Sequence, residues 1–133
     1  MPRITIRSAI LLPVLVALAT PACGPSPSPV RPIPPADLAA RIAAGDAPLI
    51  LDVRTPEEFA AGHIPGAVNV PHDELAERLS EIPAARSEEI VVHCQSGRRA
   101  AQAESVLGEA GYTQLRDLEG HFQAWQQGGH PVE

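Results

Sequence analysis

Ile90-Val91-Val92-His93-Cys94-Gln95-Ser96-Gly97-Arg98-Arg99-Ala100 runs three β-favouring residues into a lone cysteine, a short polar loop and a helical pattern. The cysteine therefore sits where a strand hands over to a helix. A loop closing onto a helix N-terminus turns unpaired peptide N–H groups toward its centre, and the dipole adds roughly half a positive charge there. Such a place favours thiolate over thiol and makes Cys94 a usable nucleophile. Gly97 allows the backbone to turn its amides inward at positive φ. The competing reading is a packed-away thiol, since free cysteine is among the most buried residue types. The neighbours Gln95 to Arg99 argue instead for a wet, electropositive strand end, where open parallel sheets bind their ligands.

Outward from this stretch the chain alternates helix and strand. Ala36 to Ala44, with Leu38 and Ile42 four apart and Gly45 beyond, reads as a short amphipathic helix. Pro48 to Val53 is an unbroken apolar run, the mark of a strand covered on both faces, and Asp52 and Arg54 follow at its functional end. Thr55-Pro56-Glu57-Glu58 is a helix start, with a threonine cap, proline in the first turn and acids at the positive dipole end. Gly62 to Pro71 predicts a structured loop leading into a minor strand, and Asp73 to Leu79 another short helix. Beyond the cysteine loop, Ala103, Val106, Leu107 and Ala110 share one helical face that Gly111 ends. Leu115 to Leu118 is a last strand, and Gly120 to Gln127 a last helix with Phe122 and Trp125. This alternation predicts an α/β domain with a mainly parallel sheet.

Composition narrows the function. A chain of 133 residues has room for one modest domain. All ten basic residues are arginine, and the net charge of −6 falls by two more without Arg3 and Arg7, so nucleic acid is excluded as a partner by overall electrostatics. Cys23 and Cys94 lie on opposite sides of a proline-rich break, which fits neither a disulfide scaffold nor a zinc site.

Residues 1–22 have the layout of an export signal: two arginines, then an apolar run from Ser8 to Ala19 too short for the roughly twenty residues of a membrane span. Thr20-Pro21-Ala22-Cys23-Gly24 resembles a bacterial lipobox, which makes Cys23 a candidate lipid anchor. Thr20 and Pro21 depart from that pattern. The expectation is a protein on the periplasmic side of a bacterial cell envelope, lipid-anchored or else secreted. The proline-rich stretch from Gly24 to Pro35 cannot support a helix or a central strand, and residues 23–31 are read as an extended tether.

The motifs Asp52-Val53-Arg54, Glu58-Phe59, Gly62 to Pro71, Cys94 to Arg99, and Leu118-Glu119-Gly120 with Ala124-Trp125 and Gly129-His130-Pro131-Val132, in this order, resemble a single-domain rhodanese over residues 32–133. The resemblance implies a five-stranded parallel sheet flanked by helices on both faces, with a very short first strand near Ile33. It implies a sulfurtransferase in which Cys94 takes a sulfane sulfur from thiosulfate or a similar donor as a persulfide and passes it to cyanide, a small thiol or a protein. Gln95, Ser96, Gly97, Arg98, Arg99 and Ala100 would form the substrate loop, and Asp52, Arg54 and Glu58 would support it. No metal or organic cofactor is required, and a monomer is expected. Asp52 and Arg54 read best as a buried pair, and Glu58 as the structural partner of an arginine. His63 belongs to a structural loop rather than serving as a base. His121 stands where many relatives have a second glycine after Gly120, so a differently shaped turn before the last helix is expected; an imidazole at the pocket mouth is the less favoured outcome.

Two other readings compete. Phosphatases and arsenate reductases of the same fold place an arginine after five intervening residues, whereas here that position is Ala100 and the arginine stands one place earlier, at Arg99. The shorter loop suits a sulfur atom better than a tetrahedral phosphate. A persulfide carrier or a docking module without catalysis is the other alternative, and the retained cysteine in a positive loop argues against an inert module.

Overall fold

The computed structural model describes Ser26 and residues 28–133. The export signal, Cys23 and part of the expected tether lie outside these residues. Five strands, β1 (Arg31–Ile33), β2 (Leu49–Asp52), β3 (Val68–Asn69), β4 (Glu89–His93) and β5 (Gln114–Leu118), form one parallel sheet in the order β1-β5-β4-β2-β3. Four helices flank them: α1 (Pro35–Ala43), α2 (Pro56–Ala61) and α3 (Arg98–Glu109) between strands, and α4 (His121–Gln127) after the last.

The unbroken apolar strands are explained by burial on both faces. Leu51, Ile90 and Val92 pack with Ala100, Ala103 and Leu107 of α3 on one side of the sheet. Ile50, Val91 and Leu118 pack with Leu38 of α1 and Phe122 and Trp125 of α4 on the other. The result is the three-layer α/β arrangement expected from the sequence.

Two expectations need correction. β1 begins at Arg31, inside the stretch read as tether. An edge strand tolerates Pro32, whose missing N–H costs no ladder bond on the outer side, and Arg116 holds the carbonyls of Arg31 and Pro32. Pro34 then caps α1 and Pro35 occupies its first turn. The helix expected over Asp73 to Leu79 is instead two 3-10 turns, Leu75–Glu77 and Leu79–Glu81. Arg78 between them has φ −116 and ψ 20, off the helical path. Its guanidinium pairs with both Glu74 and Glu81, and Leu75 alone of this segment is fully buried.

Candidate functional site

The C-terminal ends of β2, β4 and β5 converge on Cys94, the first residue after β4. Its side chain is only 1% exposed and packs in the same core cluster as Val53, Val92 and Ala100. The expectation of a wet thiol therefore fails: the tight Cys94–Gly97 turn folds back over the sulfur, and the Gly97 N–H donates to Sγ at 3.0 Å. Gly97 has φ +126, a conformation that glycine adopts without strain.

The peptides around the sulfur are nonetheless directed inward, and α4 sets their direction. The N–H of Phe122 donates to the Cys94 carbonyl at 3.0 Å and that of Gln123 to the Gln95 carbonyl at 3.2 Å. In a planar trans peptide the N–H points opposite to the C=O. The N–H groups of Gln95 and Ser96 are thereby turned away from α4 and into the loop. The first-turn N–H groups of α3, on Arg98, Arg99 and Ala100, have no intrahelical partner by geometry and complete an anion-favouring cradle. Gln95 is half-buried, Ser96 and Arg98 are exposed and Ala100 is buried.

Arg99 and Glu58 meet across 41 residues of chain, with guanidinium to carboxylate bonds of 2.6 and 3.0 Å. Arg99 also neighbours Cys94, and the bond to Glu58 above all strengthens its charge. The bond from Arg99 holds the Glu58 carboxyl down at about 2 despite some desolvation. Glu58 is in turn locked by a capping box: Thr55 Oγ1 accepts from the Glu58 N–H, and the Thr55 N–H donates to Glu58 Oε2. The helix-start motif thus also aims a carboxylate at the cysteine loop.

Asp52 and Arg54 form a buried pair, 0% and 2% exposed, with a 2.7 Å Nη2–Oδ2 bond. Arg54 Nη2 also donates to the Gly62 carbonyl at 2.8 Å, and the guanidinium lies 4.0 Å from the Phe122 ring centroid. The pair ties the β2 end to the Gly62 loop and to α4, and makes no bond to the cysteine loop. His93 is fully buried, with Nδ1 3.2 Å from the Cys94 carbonyl and Nε2 3.7 Å from Asp52. Burial depresses its basicity and keeps it neutral. His63 bonds the Phe59 carbonyl and stacks on the Phe59 ring.

The residue that sequence reasoning placed least well is His121. It lies beneath the loop, not at its mouth: 6% exposed, with the Cys94 N–H donating to its Nδ1 at 3.3 Å. Its φ of +57 is the only positive value on a non-glycine residue among the described ones, and the one signal of it in the sequence was a histidine directly after Gly120. Behind it stand Asp117, 3.5 Å away, and Glu104. Burial first, and then the neighbouring Asp117 carboxylate, raise the Glu104 carboxyl to about 8. The proton that the native state retains on Glu104 is lost from the unfolded chain near the ordinary carboxylate value. This contribution to stability is therefore full below about pH 4.5 and vanishes as pH rises through about 8. Glu104→Gln removes that dependence. The melting temperature of the variant, relative to wild type, is expected to climb by several degrees between about pH 5 and pH 9 in thermal unfolding followed by circular dichroism.

Comparison with known proteins gives this geometry a lineage. Residues 34–128 match the model of the rhodanese-like domain. The chain is 41% identical over 93 residues to thiosulfate sulfurtransferase 16, chloroplastic, of Arabidopsis thaliana, covering 62% of this chain and 78% of that protein. It is 39% identical over 101 residues to the human thiosulfate:glutathione sulfurtransferase, covering 67% and 87% respectively. Among solved structures, a rhodanese-related protein of Thermoplasma volcanium superposes with a TM-score of 0.67 at 36% identity, covering 77% of this chain and 97% of that one. A match over nearly the whole described domain, by sequence and by fold together, means that the chain belongs to the rhodanese-like domain family.

Proposed function

We propose that this protein moves a sulfane sulfur from thiosulfate, or an anion of the same kind, to a thiol or cyanide through a persulfide on Cys94. One observation carries the reading: the Gly97 N–H donates to Sγ, while α4 holds the Cys94 and Gln95 carbonyls and so turns the N–H groups that follow them away from α4. The thiolate attacks the outer sulfur of thiosulfate. A new S–S bond forms, the bond inside thiosulfate breaks, and sulfite leaves with the electron pair. The acceptor, as thiolate or cyanide, then attacks the outer sulfur of the persulfide and releases the Cys94 thiolate. Both resting forms of the enzyme are anionic, so one set of fixed dipoles serves the whole cycle without reorganisation. Arg99, oriented by Glu58 beside Cys94, supplies the guanidinium for the sulfonate end of the donor. The tight turn over the sulfur favours a one-atom cargo over phosphate.

Sulfurtransferase relatives named for thiosulfate and for glutathione support the substrate classes. The test is intact mass spectrometry of the protein after thiosulfate, with and without cyanide. One added sulfur atom that cyanide removes is expected, carried by the tryptic peptide containing Cys94. A mass unchanged by excess thiosulfate sinks the proposal.

A further inference from the structure

We propose that His121 is a positioning residue for sulfur transfer: its neutral imidazole holds the Cys94 peptide in the orientation that forms the sulfur pocket, and protonation of the ring releases it. In its kinetic consequences the proposal rests on the sulfurtransferase reading above; in its structural consequences it stands alone.

The imidazole touches the loop at both ends. At one, Nδ1 accepts the Cys94 N–H at 3.3 Å. At the other, it packs so closely under Gly97 that a Cβ added there would lie 2.9 Å from Nε2. The ring therefore fills the space that the closed turn needs as its floor. Since Nδ1 is an acceptor, the ring proton resides on Nε2, which faces Asp117 Oδ1 at 3.5 Å. Asp117 in turn neighbours Glu104, whose buried Oε1 has no hydrogen-bond partner among the described residues. The line runs from the nucleophile's peptide, through the imidazole, to a carboxyl pair on β5 and α3.

The backbone shows that this arrangement is bought with strain. Gly120 and His121 both occupy the left-handed region, at φ 69 and 57. Glycine is required at 120, where a Cβ would come within 2.4 Å of the Ala124 Cβ. At 121 a histidine occupies the same region, where a side chain is strained. The turn brings the Phe122 and Gln123 N–H groups onto the loop carbonyls and the imidazole onto the Cys94 N–H at once.

Protonating Nδ1 replaces an acceptor with a donor, so two N–H groups confront each other and the bond to Cys94 is lost. The groups that face His121 are Asp117 from β5, with Glu104 of α3 behind it, and His93 and Cys94 from the end of β4; α4 itself adds no charge. Burial lowers the basicity of His121 and outweighs the opposing pull of Asp117. The loop is thus held at neutral pH and released on acidification below the ordinary histidine range of about 6.5.

Two variants test this. Asn also tolerates the left-handed region and places an acceptor Oδ1 where Nδ1 stands, without titrating; Gly removes the acceptor altogether. In substrate-free full-length protein, amide exchange at Cys94 should be at least about tenfold faster in His121→Gly than in wild type and close to wild type in His121→Asn. By NMR, the Cys94 amide of the wild type should follow the titration of the His121 ring. In thiosulfate turnover, His121→Gly should lose about tenfold in kcat/KM, with His121→Asn within about threefold of wild type and lacking the acid limb at the His121 pKa measured by NMR. An unchanged Cys94 amide in His121→Gly, or an acid limb that persists in His121→Asn, overturns the proposal. A wild type that transfers no sulfur yet shows the coupled titration overturns the sulfurtransferase reading alone.

Discussion

Cys94→Ser is expected to lower thiosulfate-dependent transfer to cyanide by at least about 10³-fold, to the uncatalysed background. A hydroxyl at this position is un-ionised at neutral pH and has no route to a persulfide, so both half-reactions are lost together. The fold should survive. The side chain is 1% exposed, but the Gly97 N–H that now donates to Sγ remains available to Oγ. A buried hydroxyl with a donor in place costs about 1 kcal/mol, far less than an orphaned one. Thiocyanate formation reads the activity, and a thermal melt reads the fold. A serine variant that keeps one part in ten or more of the wild-type rate places the transferred sulfur on some other group. An inactive variant with a collapsed melt shows that the thiol serves the core first.

The largest stability effect is expected at Asp52→Asn. Arg54 is 2% exposed, and three of its hydrogen bonds from the side chain run to Asp52. The neutral amide leaves a buried guanidinium without its counter-charge and turns one of the acceptor oxygens into a donor. Removing one partner of a buried ion pair costs about 3–5 kcal/mol, because the remaining charge is neither solvated nor compensated. For a domain of this size that corresponds to a fall in melting temperature on the order of 15 °C. The damage should reach the site as well. The guanidinium rests on the Phe122 ring, and the Phe122 N–H orients the Cys94 carbonyl. A fall of less than about 3 °C would mean that the pair contributes no more than an exposed salt bridge does.

Much of this molecule is legible along the chain. Unbroken apolar runs at Leu49 to Leu51 and Ile90 to Val92 identify strands buried on both faces, and so a parallel sheet. Thr55-Pro56-Glu57-Glu58 identifies a capped helix start, because its signals all lie within four residues. The segment from Asp73 to Leu79 failed since two leucines four apart are compatible with a helix without requiring one, and the outcome depends on what Arg78 finds to pair with.

The cysteine loop divides along the same line. Sequence by itself determined that one thiol ends a central strand, that a glycine turn and an arginine pair follow it, and that a helix begins there: these are properties of adjacent residues, carried by local propensity and dipole. Tertiary structure alone decided that the sulfur is covered, that Arg99 is tied to Glu58, that α4 turns the loop peptides inward, and that His121 takes the Cys94 N–H. Each of those is a meeting of groups 27 to 41 residues apart or a burial that several elements create jointly, and hydrophobic periodicity records which face of an element is covered without recording which atoms cover it.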